Sequence, residues 1–146
     1  MRVPEREIDP RRLLWVGPLT ILSSIAAVLA VRTVALRLVA RPRRFEPLDI
    51  GPPIFDTAVL VAAALIVFAF VAGTSTRPFQ LYRRIAFIAL LVSFIPDLLL
   101  PGRWPNATWP LAVALMAMHA AAWAVTVTML TTLTVRRDDD DASGSP

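Results

Sequence analysis

"NATWPLAVALMAMHAAAWAVTVTMLTTLTV", residues Asn106 to Val135, carries no formal charge, and His119 is the one side chain in it that could take one. A helix needs about 18 or more such residues to cross a hydrocarbon core of roughly 30 Å. The stretch exceeds that length and lacks the strict alternation of a membrane strand. Lipid offers no partner to backbone N–H and C=O groups, so a segment of this kind must pair them internally, as a helix does.

Three more apolar runs precede it. Leu13 to Val31 lies between Arg12 and Arg32; the second extends from about Ile54 to Gly73, with Asp56 in its opening turn; the third, from about Leu81 to Leu100, is interrupted by Arg83, Arg84 and Asp97. The composition agrees: 56% hydrophobic and 18% charged residues depart from a soluble domain in the direction of a membrane protein. The pattern predicts an all-α, polytopic membrane protein with four transmembrane helices in a compact bundle. The spans fall at about 13–33, 54–74, 81–101 and 108–133 within a membrane domain of 13–135, after an N-terminal tail of 1–12. "RRDDDDASGSP", Arg136 to Pro146, reads as a stop-transfer pair followed by a disordered acidic tail at 136–146.

Arginine supplies every basic residue, and with the alanine, valine and leucine excess this suggests a GC-rich bacterial source. The expected location is therefore the bacterial plasma (inner) membrane. Arg2, Arg6, Arg11 and Arg12, then Arg77, Arg83 and Arg84, then Arg136 and Arg137 share one side; Arg41, Arg43, Arg44 and Arg103 share the other. The positive-inside rule then predicts both termini in the cytoplasm. Trp15, Phe79 and Tyr82 would mark the inner boundary, and Trp104 and Trp109 the outer. The first run is too long for a cleaved leader and reads as an uncleaved span, with Asp9 and Pro10 as its helix start. A pI near 11.2 would point to nucleic acid in a soluble protein, but arginines at the ends of apolar runs need no such partner. The lipid bilayer is the partner this sequence implies. There is no cysteine, hence no disulfide, thiolate nucleophile or cysteine metal site, and no motif for a cofactor or for catalysis is present.

Ionisable groups at membrane depth are where function is sought first, because burial costs free energy and demands a partner. Asp97, directly after Pro96, lies roughly 20 Å above Arg84 at 1.5 Å per residue. Pro96 leaves the Val92 carbonyl without its helical donor, which predicts a helix end broken there. Arg32, at the top of the first helix, is the expected cation for Asp97, with Arg37 and Asp56 as further members of an outer polar cluster. Such a pair would either fix the packing of helices one and three or floor a ligand or proton site. His119 lies near the midplane, on a face with Met116, Trp123, Thr126 and Leu130 expected to point inward. Its vertical separation from Asp97, about 10 Å by rise per residue, argues against a direct bond unless water intervenes. Small residues four apart (Ser23 and Ala27, Ala26 and Ala30, Ala69 and Gly73, Ala117 and Ala121, Ala120 and Ala124) permit close helix approach within the bundle or between copies in a homo-oligomer.

"WVGP", "EPLDIGPPIFDTAVL", "RPFQLYRRIAFIALLVSFIPDL" and "ALMAMHAAAWAV" together resemble a family of small bacterial membrane proteins, of a type common in actinobacteria, called domain of unknown function six thousand and sixty-nine. Pro96-Asp97 after Ser93, and Met118-His119, are its most specific pieces. The resemblance implies a four-span membrane protein and no activity, substrate or catalytic residue.

Three functions remain open to the sequence. The first is a non-enzymatic structural or interaction component of the cell envelope, favoured by short loops and missing catalytic motifs. The second is a small oligomeric transporter or channel with a polar path lined by Arg32, Asp97 and His119. The third is an intramembrane lipid-binding protein or enzyme using Asp97 and His119 as acid and base.

Overall fold

The computed structural model describes residues 10–39, 48–104 and 107–134. It contains four helices: α1 (Pro10–Leu38), α2 (Gly51–Thr74), α3 (Pro78–Arg103) and α4 (Trp109–Leu133). Each is long and apolar enough to cross a membrane, and they pack as a compact bundle with no strand among the described residues. The Asp9 cap, the loop arginines Arg41, Arg43 and Arg44, and the acidic tail lie outside those residues.

Proline marks the helix starts. It occupies the first turn of α2, α3 and α4, where its missing N–H leaves no intrahelical bond unmade. Inside helices it does less than expected. α1 continues past Pro18, and α3 continues through Pro96 and Pro101 to Arg103, so the helix end expected at Pro96 is not there. One lost bond does not end a helix whose other backbone groups have no solvent to turn to.

Short connections make sequential helices antiparallel neighbours around a square. α4 is its hub, with its longest seam along α1 and a second along α3, while α2 packs between α1 and α3 and meets α3 more loosely than it meets α1. α1 and α3 occupy opposite corners and hardly touch. Accordingly 33% of the most apolar part of α4 is buried inside the bundle but only 6% of that of α3, whose Phe87, Ile88, Val92 and Ile95 face outward.

The core has two centres, one at each end of the bundle. At the end where α1 begins and α4 finishes, Val16, Phe68, Val71, Tyr82, Val127 and Leu130 pack together. Tyr82 stands edge-on to Phe68 with ring centroids 5.0 Å apart and is 2% exposed, so it is a core residue. At the other end Val28, Leu48, Leu111, Leu115 and Met118 form the second centre.

Between the centres, α1 meets α4 through Val16, Thr20, Ser24 and Val28, one buried residue per four. Ser24 Oγ and Thr126 Oγ1 share a hydrogen bond of 3.1 Å across this seam, while Thr20 Oγ1 donates to the Val16 carbonyl at 2.7 Å and so brings no unpaired group into the interface. The small pairs singled out in the sequence miss this stripe. Ala26, Ala30, Ala69, Gly73, Ala117 and Ala124 are exposed, and Ser23 and Ala27 lie one position away from Ser24 and Val28. On α4, Thr126 and Leu130 are buried as expected, whereas Met116, His119 and Trp123 are only half-buried.

Candidate intramembrane site

Asp97 and His119 meet. The His119 Nδ1 atom is 3.0 Å from Asp97 Oδ2, joining the upper part of α3 to the middle of α4. Two geometric facts close the gap that residue counting left open. Asp97 is six residues before the end of α3 and His119 ten after the start of α4, so their Cα heights differ by ~6 Å at 1.5 Å per residue. Side chains on a helix also lean toward its N-terminus. In antiparallel neighbours this sends Asp97 and His119 toward one another.

His119 Nδ1 is also 3.1 Å from the Leu115 carbonyl one turn earlier. A carbonyl only accepts, so that hydrogen bond places a proton on Nδ1. The same nitrogen is close to Asp97 Oδ2, but the carboxylate oxygen lies off the N–H direction and remains buried without an aligned donor. Asp97 as a whole is 5% exposed. A carboxylate oxygen accepts about two hydrogen bonds, and Oδ2 has no aligned donor among the described residues.

Beside the pair lies a cleft of about 180 Å³, to which all four helices contribute. Its walls are mostly apolar, with Leu115, Met118 and Ala122 from α4 and Leu60 from α2. It is only partly enclosed. Asp56 and Leu60, both exposed, border its open side, which places the mouth on the α2 flank, beside the looser α2–α3 seam. Thr57, buried one position after Asp56, adds a hydroxyl. Among the lining residues Asp56, Asp97 and His119 are ionisable and none is an arginine.

Arg32 is elsewhere. Its Nε donates to the Leu48 carbonyl at 2.8 Å, tying the top of α1 to the turn before α2, and it makes no ion pair with Asp97. The expected Arg32 to Asp97 pair fails because α1 and α3 are diagonal, with α2 and α4 between them. Arg37 is exposed on the last turn of α1 and does not line the cleft. Of the outer cluster anticipated from sequence, Asp97 and Asp56 therefore share the cleft with His119, while Arg32 and Arg37 do not.

Residue patterns gave no sign of three other polar features. Arg83 Nη2 donates to Thr131 Oγ1 at 3.4 Å, and the Tyr82 hydroxyl and Trp123 Nε1 are buried without a hydrogen-bond partner. Lean direction could have pointed to the Asp97–His119 contact; nothing in local spacing could have assigned these. Among the described residues no group of three or more His, Asp or Glu is placed to hold a metal ion. Comparison with protein-family models, curated proteins and solved structures gives no match, so the site is read from its own chemistry.

Proposed function

We propose that the chain is a non-enzymatic multi-pass component of the bacterial cell envelope that works by holding a small amphiphilic molecule in the cleft. The single observation that carries this reading is a buried carboxylate with a half-buried imidazole beside it, set into the wall of an apolar cavity that is open at one side. Ligand pockets combine such walls with a few convergent polar groups. A packing role alone would leave no reason for a cavity beside the costliest side chain in the bundle.

Catalysis has weaker support, because the acid and the imidazole stand in a cleft whose other walls are apolar apart from the Asp56 carboxylate and the Thr57 hydroxyl. A path across the membrane has weaker support as well. Arg32 does not line the cleft, and the Phe68–Tyr82 core fills the opposite end of the bundle. The arginine distribution supports an orientation with both termini in the cytoplasm, which would put the cleft in the outer half of the membrane.

Native mass spectrometry of the chain released from mild detergent tests the reading. An amphiphile should remain bound to the wild type and be lost from Ala122→Trp, in which the new ring occupies the cleft. Identical spectra for the two folded proteins, or no adduct on either, would refute it.

A further inference from the structure

The cleft's charge identifies the head group it would accept. Three ionisable side chains line it, and two are carboxylates: Asp97 on α3 at the inner wall and Asp56 on α2 at the mouth. His119 on α4 is the sole cation-forming group among them, and its Nδ1 proton is directed to the Leu115 carbonyl. From α1 the lining residue is Val28; Arg32, one turn beyond it, is directed to the Leu48 carbonyl. An anionic head would face two carboxylates with no arginine to meet it. A neutral hydroxyl head donates to Asp97 Oδ2 but brings no counter-charge to the two carboxylates.

We propose that the cleft binds a lipophilic organic monocation, an alkylammonium whose N–H groups donate to Asp97 while Asp56 draws the charge to the mouth. The proposal rests on the binding reading above and names its ligand class. Size agrees: a cavity of about 150 Å³ holds benzene, so about 180 Å³ takes an ammonium head and its first methylenes, with the remaining tail leaving past Leu60. A hydrogen bond in which both partners are ionised, set in an apolar surround, is the strongest contact these residues can offer, and only a cationic donor supplies the second charge.

The test is titration of the full chain in zwitterionic nanodiscs with octylammonium, octanol and octyl sulfate, each corrected for partition into empty nanodiscs. Octylammonium should bind at least about tenfold more tightly than either of the others, the order of what an ionised donor adds over a neutral one. Asp97→Asn should remove that preference. Asp56→Asn, at an exposed position, should reduce it by about threefold, an effect of screened charge at the mouth. Equal binding of all three, or preference for octyl sulfate, would overturn the cation assignment and leave the binding cleft standing. No binding of any of them above empty nanodiscs would overturn both.

Discussion

The two ends of the bundle are both packed from apolar side chains and come out differently. At the end bearing the described start of α1, Phe68 and Tyr82 interlock, and aromatic volume from α2 and α3 fills the space between four helices. At the other end the corresponding space is lined by Leu, Met, Ala and Val, and it stays partly open beside Asp97 and His119. Lipid is as apolar as leucine, so helices gain nothing by merely hiding apolar surface, and tight interlock is what holds an end together. One end is therefore the anchor of the fold, and the other is free to carry a cavity and a buried charge.

The sharpest way to break this contrast is truncation at each end. Phe68→Ala should lower stability by about 3 kcal/mol through the void it leaves, and Met118→Ala by roughly half as much, because its site already borders a cavity. Unfolding of both variants in one detergent checks this. Equal losses would mean that the ends do not differ as their packing suggests.

Next in size is the polar pair. A cycle of Asp97→Asn, His119→Ala and the double variant should show coupling of about 1 kcal/mol or more, as expected of side chains in contact. The parallel cycle of Asp97→Asn with Arg32→Gln should be additive within about 0.5 kcal/mol, since these residues share no partner. Coupling in the second cycle and none in the first would restore the pairing that residue counting favours.

Arg32→Gln by itself should cost about 1 kcal/mol, the worth of a hydrogen bond from a charged donor to the Leu48 carbonyl less what glutamine recovers. Hydrogen exchange at the α1–α2 turn should rise with it. The smallest effect is expected at the middle of the bundle. Coupling between Ser24→Ala and Thr126→Ala should be about 0.6 kcal/mol, typical of an interhelical hydroxyl bond whose partners find other acceptors when separated. A value above that of the Asp97–His119 pair would move the polar centre of the protein to the α1–α4 seam.

The site was partly legible and the reasons are specific. Asp97 and His119 stand out in any reading because each interrupts an apolar run, and ionisable groups are rare at that depth. Their contact was missed because rise per residue locates Cα atoms, while lean toward each helix's N-terminus locates the reacting atoms. Height, a helix C-terminus and a long stem all favour Arg32 as the partner of Asp97. Height is one coordinate of a partner search that also needs to know which helices are neighbours, and the α1–α3 diagonal removed that choice. The small-residue pairs failed in a similar way: Ser23 with Ala27 and Ser24 with Val28 are equally spaced, and only the rotation of α1 about its axis distinguishes the exposed set from the buried one.

What the sequence by itself determined is that the chain forms four helices long and apolar enough to cross a membrane, because that capacity is a property of a single segment: enough apolar length, and all backbone groups paired within it. What only the tertiary structure decided is which faces turn inward, that Tyr82 joins the core, that α3 runs on past Pro96, and that Asp97 finds an imidazole rather than a guanidinium. Those outcomes depend on azimuth and adjacency. In lipid they are set by shape and hydrogen bonding between helices, and no run of hydropathy encodes them.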